Sequence, residues 1–281
     1  MPAATLYLVA TPIGNLEDLT YRATRILAEV NLIAAEDTRH TRKLLNHYGI
    51  STPLISYYRE KEMSRAGELL TRLLDGESIA LVSDAGTPGI ADPGAVLAQK
   101  ARQAGIRVSP IPGASALTAA VSVAGMTRSE FLFLGFPPAK GGERRKFLES
   151  MTICAWPLVM YESPRRVRQL CSDMLNLWGD RPAMVARELS KTFEETEKST
   201  LGQLLAHPII EIERGEYVVI VWPMAAPEYE ADDLDTLLRW HRDQGEWSLK
   251  DVCRRLAADL NRSRTEIYQR ALIIWQEENA D

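Results

Sequence analysis

The sequence predicts two successive α/β domains and a short helical tail. Up to about residue 126, continuous apolar runs alternate with helical patterns; from 127 to about 224, strand-like runs outnumber helical ones; over 225–281 a linker-like stretch leads into helical periodicity.

In the first domain, 1–126, the runs TLYLVA (5–10), LIAAE (32–36), IALVS (79–83) and RVSPI (107–111) read as strands. Helical patterns follow over 20–30, 38–48, 93–104 and 114–124. Apolar strands separated by helices indicate a mostly parallel sheet covered on both faces. Ligands of such sheets bind beyond the carboxyl ends of the strands. The exits here are TPIGN (11–15), EDTR (36–39), SDAGTPGIADPG (83–94) and PIPGASA (110–116). The third combines Gly86 and Gly94 as permissive points, Pro88 and Pro93 as stiffeners, and Asp92 as the expected N-cap of the next helix.

In the second domain, 127–224, the runs EFLFLGF (130–136), PLVMYES (157–163), PAMVAREL (182–189) and EYVVIVW (216–222) read as strands, the last three with antiparallel pairing. PPAKGGERRK (137–146) reads as a polar loop, and Ser163 followed by Pro164 opens a helix. The tail, 225–281, begins as a linker. It then places Leu249, Val252, Cys253, Leu256, Ala257 and Leu260 on one helix face. A capping box, Ser263 to Glu266, starts a further helix with Ile267, Ala271, Leu272, Ile274 and Trp275 on its apolar face. The pair fits a helix-turn-helix and equally a two-helix cap on the second domain.

The composition excludes several functions. Three widely spaced cysteines, Cys154, Cys171 and Cys253, fit reduced thiols, with no metal or redox motif. No apolar run reaches the length of a membrane span and no secretory leader is legible, so a cytoplasmic protein is expected. The net charge of −5 alone argues against nucleic acid, but it is unevenly distributed. Basic clusters at 39–43, 144–146 and 165–168, with further basic residues in the tail, suit a polyanion. The absence of GxxxxGK[ST] and GxGxxG argues against a phosphate-bearing nucleotide cofactor, and the rigid exits suit a compact, zwitterionic adenosine cofactor.

Seven motifs in order, VATPIGNLEDLT, AAEDTRHTRKLL, VSDAGTPGIADPG, PIPGASALTAAVSVAG, FLFLGFPP, YESPRR and VARELSKTFEE, resemble the bacterial 16S ribosomal RNA (cytidine-2′-O)-methyltransferase I family of the tetrapyrrole methylase superfamily. The resemblance covers essentially the whole chain. It implies a homodimeric, S-adenosylmethionine-dependent enzyme, with the cofactor in a cleft between the two domains. Its substrate would be a cytidine ribose in the decoding region of 16S ribosomal RNA, in the small ribosomal subunit. The cofactor would touch Pro12, Gly14, Ser83, Asp84, Ala85, Gly86, Thr87, Pro112, Ser115 and Ala116, with Tyr161 closing the other side. Arg166 stands where the family motif has histidine.

Methyl transfer to a ribose hydroxyl needs alignment, exclusion of water and a proton acceptor. The candidates are the exit carboxylates Glu36, Asp37, Asp84 and Glu162, with Lys191 as a cationic neighbour whose pKa burial would lower. Each also has a structural explanation: Glu36 or Asp37 as a cap or a partner of Arg39, Asp84 as a loop brace, Glu162 beside Arg165, and Lys191 beside Glu194 or Glu195. Arg39, Arg165, Arg166 and Arg187 are candidates for phosphate, joined in the tail by Arg254, Arg262 and Arg264. Two rival functions stay open: a tetrapyrrole C-methyltransferase, and a non-catalytic nucleic-acid-binding regulator that senses an adenosine ligand.

Overall fold

A computed structural model describes residues 4–127, 129–223, 234–245, 247–260 and 263–276. The chain divides into two compact units, Met1–Met224 and Ala225–Asp281. The two α/β domains read from the sequence are two sheets within the first unit.

The first sheet is parallel, with strand order β3-β2-β4-β1-β5. Its strands are β1 (Thr5–Val9), β2 (Leu32–Ala35), β3 (Leu54–Ser56), β4 (Ile79–Val82) and β5 (Arg107–Ile111). The helices are α1 (Tyr21–Glu29), α2 (Thr38–His47), α3 (Glu62–Leu74), α4 (Ala95–Gln103) and α5 (Ala116–Val123). β3 and α3 go beyond the strand-helix pairs expected from the sequence. Three residues are too few for β3 to show a pattern, although α3 buries Ala66, Leu69 and Leu73 at helical spacing.

Alternation along the strands sends the side chains to opposite faces. Ala80 and Val82 join the core beneath α1 and α2, with Val9, Ile33 and Ala35. Ile79 and Leu81 join the core beneath α3 and α4, with Leu6, Leu32 and Ala34. The crossovers therefore change face where the strand order reverses, and the exits of β1 and β4 lie side by side.

The second sheet has order β6-β7-β10-β8-β9. Its strands are β6 (Leu132–Phe133), β7 (Leu158–Glu162), β8 (Pro182–Arg187), β9 (Glu195–Thr200) and β10 (Tyr217–Val221). β10 pairs antiparallel with both β7 and β8, and β6 runs parallel to β7. The expected 137–146 loop is a correction, because α6 (Gly141–Glu149) forms there, anchored by the buried side chains of Arg144 and Leu148. β9 is concealed in the sequence by its charge; it is an edge strand of alternating half-buried and exposed residues.

One face of this sheet packs on α6, α7 (Pro164–Trp178) and α8 (Leu201–Ala206). Val159, Met184, Ala186, Val218 and Ile220 on the other face share a core with Ile13, Ala120 and Ala124 of the first half. That shared core holds the two sheets together, with the strand exits of the first beside Tyr161 of the second.

The described tail comprises α9 (Leu234–Gln244), α10 (Leu249–Asp259) and α11 (Arg264–Gln276). Their core includes Leu234, Leu238, Val252, Cys253, Leu256, Ile267, Ala271 and Ile274. Since α9 packs on α11, the described helices form a three-helix cluster rather than the expected pair. Leu272, expected on the apolar face, is exposed.

Candidate active site

The exits of β1, β4 and β5 are woven together. Thr11 and Gly86 exchange both backbone hydrogen bonds, Thr11 N to Gly86 O at 2.9 Å and Gly86 N to Thr11 O at 3.0 Å. Thr11 Oγ1 donates to Ser83 O at 3.1 Å, and Thr87 Oγ1 donates to Ala114 O at 3.3 Å. Gly86 has φ +79°, and a Cβ there would face Ile13 Cγ2, Ala114 O and Ser115 Cα. A Cβ on Gly113 would meet that of Ala10 at 3.0 Å. Small residues and bare backbone thus join the exits: Pro12 follows the paired Thr11, Pro112 follows β5, and Ser115 and Ala116 open α5 across from Ser83–Thr87.

The second sheet supplies the opposing wall. Tyr161 accepts the N–H of Leu117 on its hydroxyl at 2.9 Å, capping a donor in the first turn of α5. Its ring meets those of Phe133 and Phe136 edge-on. Burial raises the phenol pKa, with Leu117 N–H and the Ser115 side chain pulling against it.

After β8 the chain takes two positive φ angles away from glycine, 52° at Glu188 and 69° at Ser190. The Ser190 hydroxyl bonds Asp18, and Leu189 enters the shared core. Lys191 lies over Gly14, where a Cβ would stand 2.1 Å from its Cγ. Two sequence expectations change here. The open side of Gly14 is filled by Lys191 rather than left to a cofactor. Burial pushes the Lys191 pKa down, but Glu188 at 2.7 Å and Glu216 at 3.4 Å outweigh it, so the net shift is upward. Lys191 is a charged clamp, neither a low-pKa amine nor a partner of Glu194 or Glu195.

The exit carboxylates separate by environment. Asp37 caps α2, accepting Arg39 N at 2.8 Å and its guanidinium at 2.9 Å, which holds its pKa at about 2. It is a weak base. Asp84 Oδ1 accepts Asp37 N at 2.9 Å, and Asp84 N donates to Glu36 Oε2 at 3.4 Å, tying the exits of β2 and β4. Burial first, then Asp92 and Asp84, raise the Glu36 pKa.

That direction fixes a stability prediction. Above its raised folded pKa the Glu36 anion is penalised in the fold, and the penalty disappears as pH falls toward the ordinary value of 4.5. Glu36→Gln is expected to raise Tm at neutral pH relative to the parent, with the two curves converging below that value. Scanning calorimetry across pH checks it; a lower Tm at pH 7 would contradict the assignment.

Glu162 lies on the opposite face of β7 from Tyr161. Its Oε1 accepts Ser163 N at 2.7 Å and Arg166 Nε at 2.7 Å, so its partner is Arg166 rather than Arg165, and it does not face the cleft. Arg166 is correspondingly committed to Glu162. Arg187 is also committed, its side chain 11% exposed, donating to Arg214 O at 3.1 Å and near Glu195. Arg39 and Arg165 are exposed, as are Arg254, paired with Asp251, and Arg264. Arg262 lies outside the described residues.

Three groups near the cleft were not expected from the sequence as site residues. Arg59 leaves the unforeseen β3, Phe136 follows β6, and Asp92 is free of the N-cap duty assigned to it, because Gly94 occupies that position at φ 145°. They line a cavity of about 400 Å³. The signal for Arg59 was a fifth strand exit, SYYRE (56–60). Among the described residues no group of three or more His, Cys, Asp or Glu could hold a metal ion, and no helix is long and apolar enough to cross a membrane.

Residues 5–205 match the family of Tetrapyrrole (Corrin/Porphyrin) Methylases. The chain belongs to the tetrapyrrole methylase family. Within it, this methylase is 47% identical over 235 residues to the ribosomal RNA small subunit methyltransferase I of Pseudomonas aeruginosa, spanning 82% of this chain and 83% of that one. It is 49% identical over 220 residues to the protein of that name from Xylella fastidiosa, spanning 77% and 81%. Among solved structures it is similar to the methyltransferase CobJ, with TM-score 0.59 at 20% identity, covering 81% of this chain and 97% of that one. It is also similar to a Thermus thermophilus uroporphyrin-III C-methyl transferase complexed with S-adenyl homocysteine, with TM-score 0.57 at 20% identity, covering 77% and 97%. At that identity the structures establish the fold alone: a methylase fold of two sheets with C-terminal helices beyond it.

Proposed function

We propose that this methylase transfers a methyl group from S-adenosylmethionine to the ribose 2′-oxygen of a cytidine in the decoding region of 16S ribosomal RNA. The observation that carries this reading is the identity of 45–49% to ribosomal RNA small subunit methyltransferases I over most of both chains. The cleft supports it. Its walls of small residues, backbone and an aromatic hydroxyl fit a compact adenosine-bearing sulfonium, and a Cβ on Gly113 would crowd that of Ala10 at 3.0 Å.

When bound, S-adenosylmethionine supplies a methyl carbon already activated by its sulfonium. The chain's part is to hold, orient and dry the reactants. Ser83–Thr87, Ser115 and Ala116 would hold the cofactor from the first sheet and Tyr161 from the second. The Glu36–Asp84–Asp37 ties keep the exits rigid, and the Ser190–Asp18 hydrogen bond with Leu189 in the shared core holds the loop after β8 against the first half. Exposed Arg165 presents a fork to phosphate, with Arg264 in the tail, while Arg39 and Arg254 would exchange their carboxylate partners Asp37 and Asp251 for it. The substrate is the assembled small subunit, and the working form is a cytoplasmic homodimer.

Purified protein, labelled S-adenosylmethionine and small subunits from a strain lacking the enzyme should yield label in a 2′-O-methylated cytidine after digestion of the RNA. Label on a tetrapyrrole, or on nothing, would reject the reading. Removing residues 231–281, which include α9, α10 and α11, should weaken subunit binding and leave S-adenosylhomocysteine affinity nearly unchanged. Equal subunit affinity would assign the tail a purely structural role.

A further inference from the structure

The cavity beside the cleft joins both sheets. Arg59 comes from the exit of β3, Ile90 and Asp92 from the far end of the loop after β4, and Gly135 and Phe136 from the turn after β6. Its volume of about 400 Å³ lies within the roughly 300–1,000 Å³ range of small-molecule sites. Glu62, also on its wall, is engaged structurally, accepting Gly94 N at 2.8 Å and the Tyr57 hydroxyl at 3.1 Å.

The remaining groups are complementary in kind. Phe136 is 53% exposed, and its ring meets Tyr161 at 5.5 Å, where the cavity adjoins the cleft wall. Arg59 is held by a 2.6 Å hydrogen bond to Ala91 O, beside Asp92. The Asp92 carboxylate is half-buried and faces Arg59, Asp84, Glu216, Glu36, the Ser83 hydroxyl and Tyr161. An aromatic face, a fixed guanidinium and a carboxylate suit a base, a backbone phosphate and a hydroxyl, the three parts of a nucleotide within single-stranded RNA.

We infer that this cavity receives the acceptor nucleotide: Phe136 stacks on its base, Arg59 fixes an adjoining phosphate, and Asp92 takes the proton of the ribose 2′-hydroxyl. The inference rests on the ribosomal reading above. In the transfer the 2′-oxygen bonds the methyl carbon as the carbon–sulfur electron pair returns to sulfur; the 2′ proton passes to the Asp92 carboxylate and from there to water. Burial raises the Asp92 pKa, with Asp84 and Glu216 adding to it and Arg59 and Ser83 opposing, which makes the anion a stronger proton acceptor.

The test compares Phe136→Ala, Phe136→Tyr and Asp92→Asn with the parent enzyme, using small subunits from the deletion strain. Stacking loss in Phe136→Ala should raise KM for subunits and weaken their sedimentation binding by about tenfold or more, with recovery in Phe136→Tyr. Asp92→Asn should lower kcat by about a hundredfold or more and remove the acidic limb of the pH–rate profile, with KM little changed. S-adenosylhomocysteine affinity, measured by calorimetry, should stay within about threefold in all, and Asp92→Asn should not melt below the parent at neutral pH, since it removes a penalised charge. Parent-like subunit binding by Phe136→Ala, or an intact acidic limb in Asp92→Asn, would overturn the pocket assignment while leaving the ribosomal reading in place. A parent enzyme inactive on subunits would overturn both.

Discussion

Gly86→Val is expected to weaken S-adenosylhomocysteine binding on the order of a hundredfold, from backbone strain and lost hydrogen bonds of about 1–2 kcal/mol each. Gly86 sits at φ +79°, where a β-branched residue is strained. Its N–H and C=O make the Thr11 pair that joins the exits of β1 and β4, so relief of the strain moves the floor of the cleft. A Cβ alone would find Ile13 Cγ2 at 3.4 Å, an ordinary contact, so Gly86→Ala should show a smaller loss, chiefly from φ. Isothermal titration of both variants, with melting curves to confirm folding, makes the comparison. Undiminished affinity in Gly86→Val would remove this loop from the cofactor site.

Asp173→Ala is expected to destabilise the first unit by about 3–5 kcal/mol, the cost of leaving a buried charge without its partner. The Asp173 side chain is 1% exposed and Arg144 6%, joined at 2.7 Å, with Gln169 donating at 3.1 Å. Burial alone would raise the Asp173 pKa, but Arg144 and Gln169 outweigh it and lower it. With a depressed folded pKa, the pair's contribution is present above the ordinary value of 3.8 and is lost as pH falls through the folded one. Denaturant titration should therefore show the variant's deficit at neutral pH and a narrowing gap in acid. An Arg144→Met, Asp173→Leu double variant should recover much of the loss, because it removes both charges from the interior.

The apolar strands and their glycine- and proline-rich exits were legible because a parallel sheet buried on both faces writes itself as continuous hydrophobic runs. β3 and β9 were hidden for opposite reasons: three residues carry no period, and an edge strand keeps charge on its open side. The helix at 141–149 was masked by two leading glycines and a basic run whose Arg144 turns inward to Asp173, a tertiary pairing that local pattern does not encode.

Within the site, motif position identified the right loops but not the direction of each side chain. Tyr161 and Glu162 are adjacent, yet alternation along β7 sends one toward α5 and the other to Arg166 of α7. Lys191 follows the same lesson, its pKa governed by Glu188 and by Glu216, 25 residues away in sequence. Asp92 read as a cap because it precedes a helix by a few residues. The positive φ of Gly94 moves the helix start and leaves the carboxylate facing the cavity.

The most direct measurement of the central claim is a crystal structure of the protein with S-adenosylhomocysteine. The ligand is expected between the sheets, against Ser83–Thr87, Ser115 and Ala116 on one side and Tyr161 on the other. A ligand bound away from these strand exits would contradict that claim.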